Sequence, residues 1–128
     1  MPDITLPSSD GSASLTLEDF RVDPTGGAYF QLAVSSRGFT GRSPYALEPS
    51  ELRSFISSLR RMYDTLTGTA EIRLHMEQEH VAFRVTVTGA VTVTGVLIQY
   101  DDPAQRLEFA FHSDQSCLPA FLNALSAA

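Results

Sequence analysis

The spacing of apolar residues divides the chain into strands and helices. Alternation of apolar and polar positions predicts strands at residues 15–17, 29–35, 72–76, 81–87, 91–100 and 107–111. The turn-forming cluster 23–27 joins the first two strands into a hairpin, and the segment 37–43 is a candidate for a further short strand. Residues 1–12 are polar and are expected to form a loose leader. At Gly95 the alternation changes parity, which predicts a bulge.

Two segments show the three-and-four spacing that is typical of amphipathic helices. The first runs from about Pro49 to Leu66, with its apolar stripe at Leu52, Phe55, Ile56, Leu59, Met62, Tyr63 and Leu66. Pro49 suits a first helical turn, and Gly68 suits a C-terminal cap. The second helix carries Leu118, Phe121, Leu122 and Leu125. Asp114 or Ser116 is expected to cap its start.

The order of these elements predicts the fold class. Short links between successive strands favour a mostly antiparallel meander. We therefore expect a two-layer α+β fold, with one sheet of about six to seven strands and the central and C-terminal helices packed on one face. A chain of 128 residues is expected to form a single domain, 1–128.

Composition excludes several kinds of chemistry. The nine basic residues are all arginine, so a Schiff-base lysine and a P-loop lysine are both ruled out. One cysteine allows neither an internal disulfide nor a multi-thiolate metal site. The net charge of -6 argues against nucleic acid or an anionic membrane as the partner and fits a basic one. Without an apparent signal peptide, a cytoplasmic location is expected.

Several polar clusters resemble sites, and each has a simpler structural reading. Residues 75–80 contain two histidines and two glutamates, but their spacing departs from the zinc-protease motif, and a solvated hairpin tip is the alternative. Gly38–Ser43 ends like a phosphate-binding loop, but its glycine spacing is too short and no helix follows directly, so tight turns that need glycine's φ freedom are the simpler explanation. Cys117 near His112 could form a nucleophile and base, or Cys117 could simply be a small residue in a helical turn.

Two charged clusters are also explained more simply as solvated surface than as catalytic or binding sites. Asp101 and Asp102 could pair with Glu108 as acid and base, but an Asp-Asp-Pro turn is normally solvated. Arg60 and Arg61 are most simply the solvated face of a helix. We therefore predict no catalytic residue, no cofactor and no bound metal.

Three stretches together carry a family resemblance. They are Phe39-Thr40-Gly41, the helical stripe with Leu52, Phe55 and Leu59, and the run from Phe109 to Leu118 with Phe121 and Leu125. Over residues 13–126 the chain resembles the WapI-type bacterial immunity proteins and related small domains of unknown function. This resemblance implies a cytoplasmic α+β protein that binds and neutralises the toxic domain of a bacterial toxin. It transfers no catalytic residue.

Two functional hypotheses follow. The first is a non-catalytic immunity protein that binds a basic toxin domain through carboxylates at its loop tips, namely Glu77, Glu79, Asp101 and Asp102. The alternative is a small-ligand-binding protein or an enzyme, with a pocket between the sheet and the helices lined by Tyr29, Tyr63, Tyr100 and His112. Neither hypothesis fixes whether the protein is a monomer or a homodimer joined through an edge strand.

Overall fold

The computed structural model describes residues 2–73 and 78–127, which form four strands, a helix, four further strands and a second helix. The strands are β1 Ile4–Pro7, β2 Ala13–Val22, β3 Ala28–Ser36, β4 Phe39–Leu47, β5 Thr69–Arg73, β6 His80–Val85, β7 Ala90–Gln99 and β8 Gln105–Asp114. The helices are α1 Pro49–Thr65 and α2 Leu118–Ala127, the latter preceded by a 3-10 turn, Gln115–Cys117. The chain thus uses the same pattern of four strands and a helix twice.

The strands belong to two antiparallel sheets. Sheet A has the order β1-β2-β3-β4, and sheet B has the order β5-β6-β7-β8. The α+β class and the antiparallel meander are confirmed. The expected single sheet of six to seven strands is wrong, because the described residues form eight strands in two sheets. Since α1 separates β4 from β5, no tight turn brings these two strands together, and each meander forms a sheet of its own.

The helices join the two sheets rather than covering one face of a single sheet. Helix α1 packs against β5, α2 and β4, and α2 also packs against β1. The stripe predicted for α2 is confirmed, with Leu118, Phe121, Leu122 and Leu125 all buried. The stripe predicted for α1 is confirmed at Leu52, Phe55, Leu59 and Met62 but is wrong at Tyr63 and Leu66, which are 41% and 47% exposed at the end of the helix. Neither helix in the described part of the chain is long and apolar enough to cross a membrane.

The ends of the helices are stabilised by local hydrogen bonds. Before α1, the side chain of Glu51 accepts a hydrogen bond from the backbone N–H of Glu48, at 2.8 Å. The C-cap of α1 is Leu66 in the left-handed conformation, two residues earlier than the predicted Gly68. The predicted cap at Asp114 is confirmed for the 3-10 turn Gln115–Cys117 that leads into α2, where its carboxylate accepts a hydrogen bond from Ser116 N, and not for α2 itself.

The N-terminal segment belongs to the core, so the expectation of a loose leader is wrong. Strand β1 pairs with β2, and the side chains of Ile4 and Leu6 are buried. A polar turn follows, in which the carboxylate of Asp10 accepts hydrogen bonds from the Ser8 hydroxyl and the Ser12 backbone. Because β1 contains only four residues, its two apolar positions are too few to show a clear alternation in the sequence.

Two glycines allow close packing in the sheets. A Cβ at Gly41 of β4 would lie 2.5 Å from Leu107 Cδ2 of sheet B. At Gly95 a Cβ would lie 2.6 Å from both the His80 carbonyl oxygen and Phe109 Cζ. The bulge predicted at Gly95 is wrong, because β7 keeps an unbroken register with both neighbours there. A shift of register occurs instead in β2, between Glu18 and Arg21.

Candidate functional site

The turn between β7 and β8 presents the predicted acidic contact residues Asp101 and Asp102 to solvent. Salt bridges in the described part of the chain join Glu18 to Arg42, Glu71 to Arg73, and Glu108 to Arg106, so neither aspartate takes part in one. Tyr100, directly before them, is 55% exposed. Two carboxylates without an ion-pair partner and an exposed aromatic ring therefore stand together at one turn.

Glu79 is buried, and the prediction that it stands on a solvated hairpin tip is wrong. It is only 3% exposed. Its Oε1 accepts hydrogen bonds from Ser43 Oγ of β4, at 2.8 Å, and from Ile98 N of β7, at 2.9 Å. The carboxyl group thus connects sheet A to sheet B and is not available to a partner. Glu77 lies outside the described residues, and its role as a contact stays a prediction.

Tyr45 lies beside this connection on the same face of β4 as Ser43. Its side chain is buried, and its hydroxyl has no hydrogen-bond partner among the described residues. Burial raises the pKa of Tyr45 well above the ordinary 10.0, and the charge of Glu79 raises it further. The ring of Tyr45 stacks on Phe30 with centroids 5.7 Å apart, so burial and ring stacking make Tyr45 a packing residue.

The structure does not assemble Cys117 and His112 into a catalytic pair. Cys117 packs against the hydrophobic core. His112 is exposed on β8, where its Nδ1 lies 3.2 Å from Thr92 Oγ1. No hydrogen bond joins the two residues, both of which the structure describes. Among the residues 2–73 and 78–127, no group of three or more His, Cys, Asp or Glu residues could hold a metal. Two members of the 75–80 candidate, His75 and Glu77, fall outside those ranges.

The loop-like segment Gly38–Ser43 is part of a hairpin. Arg37 and Gly38 both have positive φ, 51° and 89°, and form the two-residue turn between β3 and β4. Gly41 then lies within β4, where it allows the approach of sheet B. The prediction of a glycine-dependent turn is therefore confirmed at Gly38, whereas Gly41 is a strand residue. Of the two arginines that the sequence assigns to the solvated face of α1, Arg60 makes a contact with α2. Its Nη2 donates a hydrogen bond to Ser126 Oγ at 3.2 Å.

The space beneath the helices, where a ligand pocket was expected, is filled by aromatic side chains. Phe83 of β6 contacts Phe55 of α1, with ring centroids 5.5 Å apart, and Phe121 of α2, with centroids 6.1 Å apart. The residues proposed to line the pocket, Tyr29, Tyr63, Tyr100 and His112, are all exposed. This arrangement removes the support for a ligand site between the sheet and the helices.

The outward face of sheet A, by contrast, is concave. A concavity of about 840 Å³ lies over the polar positions of β2, β3 and β4. Its floor includes the half-buried residues Ser14, Thr16, Gln31 and Ala33, and its wall includes Gln99 at the end of β7. Sequence reasoning identified the strands but missed this surface. The only signal was the polar character of alternate positions, which any half-solvated sheet shares.

Architecture defines the class of protein: an α+β domain of two four-stranded antiparallel meanders, each followed by a helix. The chain belongs to the immunity protein WapI-like family, whose pattern it matches over residues 11–128. This match confirms the resemblance seen in the sequence. No curated protein matches the chain.

A solved structure shares the architecture. It is entitled "Crystal structures of trypanosoma bruciei MRP1/MRP2", and one of its chains superposes with a TM-score of 0.57. The match covers 98% of this chain and 81% of that chain, at 11% sequence identity. At this level of identity the likeness shows a shared fold alone.

Proposed function

We propose that this protein is a bacterial immunity protein that binds the toxic domain of a cognate toxin and neutralises it. The observation that carries the proposal is membership of the immunity protein family over residues 11–128. Binding alone is sufficient for this role, so the proposal requires neither catalysis nor a cofactor. The proposed place of action is the cytoplasm, where a delivered toxin domain would meet its target.

Charge favours a basic partner. The chain carries a net charge of -6, and the exposed turn at Asp101 and Asp102 concentrates two of the carboxylates that no arginine neutralises. Opposite charge accelerates encounter between proteins, up to about 1,000-fold at low ionic strength. The same charge opposes binding to nucleic acid or an anionic membrane. We therefore propose this turn as a point of first contact with the toxin.

Co-expression tests the proposal. The toxin domain encoded by the neighbouring gene would be induced in cells that carry this protein, an empty vector, or one of two charge variants. We expect full protection by the wild type and weaker protection by Asp101→Asn/Asp102→Asn. The matched control Asp3→Asn/Asp64→Asn removes the same charge from exposed positions elsewhere and should protect fully. Survival with the wild type no better than with the empty vector would overturn the proposed function.

A further inference from the structure

We propose that the concave outward face of sheet A, together with the turn from Gln99 to Asp102, is the surface that receives a protruding basic loop of the toxin. This inference rests on the proposed function and names the site where it is performed. The concavity measures about 840 Å³, and Gln99 forms part of its wall. Asp101 follows Gln99 by two residues, so at most about 7 Å of chain separates them. The acidic turn therefore begins next to the lining of the concavity.

The lining of the concavity fits a polypeptide better than a small molecule. Small-molecule sites are mainly apolar with a few polar groups. This lining is instead rich in hydroxyl and amide groups, contributed by Ser14, Thr16, Gln31, Ser35, Thr40 and Gln99. Such groups adapt to the backbone and polar side chains of a protein partner, as serine and threonine do in antibody binding loops. Tyr100, the next residue after Gln99, adds an exposed aromatic side chain, a residue type enriched among the dominant contacts of interfaces.

Charge distinguishes among the macromolecules that could fit. Among the lining residues that the structure describes, Arg42 is the one arginine, and Glu18 engages it through two contacts of 2.8 and 3.0 Å. That leaves no free cation among those residues to neutralise a phosphate, which disfavours nucleic acid. A second copy of this chain would bring its own carboxylates against Asp101 and Asp102, which like-charge repulsion disfavours. A basic loop meets neither obstacle.

Shape also favours a protruding segment. Thr16, Gln31 and Ala33 line the concavity on β2 and β3, the two inner strands of sheet A, where neighbouring side chains leave them half-buried. A flat partner would leave this floor untouched. A loop could reach it and exclude water from the centre, where the dominant contacts of interfaces are found.

Filling the floor tests the inference. Ala33→Tyr places a large side chain at the centre of the concavity, on the inner strand β3. The matched control is Ala82→Tyr, a half-buried outward position on β6, one of the two inner strands of sheet B. Binding to the purified toxin domain of the neighbouring gene would be measured by titration calorimetry. We expect Ala33→Tyr to weaken binding by at least about 100-fold and Ala82→Tyr by less than about 3-fold.

The outcomes separate the inference from the proposed function. If the wild type fails to bind the toxin domain, the proposed function falls and the inference falls with it. If the wild type and both variants bind equally, the function stands and the assignment of this face is wrong. Should Ala33→Tyr fail to fold, Ser35→Tyr at an exposed position of the same lining on β3 applies the same test. Either variant is used in the binding test only if its melting temperature is close to that of the wild type, which shows that it is folded.

Discussion

The buried carboxyl group of Glu79 is expected to stabilise the junction of the two sheets. Glu79→Ala removes the acceptor for Ser43 Oγ and for Ile98 N. Each buried donor left without a partner costs about 1–3 kcal/mol, and relief from burying a carboxyl group offsets part of the sum. We therefore expect a loss of about 2–3 kcal/mol in the free energy of unfolding, or on the order of 10 °C in Tm for a chain of this size.

Urea unfolding followed by circular dichroism measures this loss, with Glu108→Ala as the matched control. Glu108 is exposed on β8, and its ion pair with Arg106 is a surface contact that contributes little. We expect Glu108→Ala to change stability by less than about 0.5 kcal/mol. Equal effects of the two substitutions would refute the role of Glu79 as a structural acceptor. A loss of toxin binding without a loss of stability would instead restore the original hypothesis that Glu79 is a contact residue.

Three further predictions follow from the hydrogen bonding. Tyr45→Phe removes a buried hydroxyl without a partner and should raise the free energy of unfolding by about 1 kcal/mol, measured by urea titration; a decrease would show that the hydroxyl is satisfied. Asp114→Ala removes a cap and should cost about 1 kcal/mol while leaving toxin affinity unchanged, and weaker binding at wild-type stability would contradict this. Hydrogen bonds from the hydroxyl of Thr25 and from backbone N–H groups hold the pKa of Asp23 below 3.8. The contribution of the Asp23 carboxylate to the free energy of unfolding is therefore present above pH 3.8 and is lost as the pH falls below it. Wild type should therefore be more stable than Asp23→Asn at neutral pH, with the difference shrinking in acid; a difference independent of pH would contradict the assignment.

Local patterns predicted the elements well, because each depends on neighbours along the chain. The stripe of α1, the hairpin at residues 23–27 and the cap at Asp114 all involve residues within a few positions of one another. The division into two sheets could not be predicted this way, since the choice of partner for β4 and β5 is made across the whole molecule. β1 was missed for a related reason: it is short, and its apolar residues can be recognised as core residues only once β1 is paired with β2.

Glu79 shows the same limit at the level of a single residue. It stands in the polar run Glu77-Gln78-Glu79-His80, which predicts a solvated tip. Its hydrogen-bond partners come from 36 and 19 residues away, so nothing local indicates that the carboxyl group is satisfied in the interior. The concavity over sheet A could not be predicted either, because its lining is assembled from β2, β3, β4 and the end of β7, which are far apart in the sequence. The acidic turn, in contrast, could be recognised from its own residues.

Binding of the purified protein to the toxin domain of the neighbouring gene tests the central claim most directly. Titration calorimetry should show a complex with a Kd of about 1 µM or tighter, and a stoichiometric amount of this protein should abolish the activity of the toxin domain. Affinity should fall as ionic strength rises, because opposite charges contribute to the encounter. A toxin domain that remains fully active in the presence of excess protein, with no complex detected, would contradict the account.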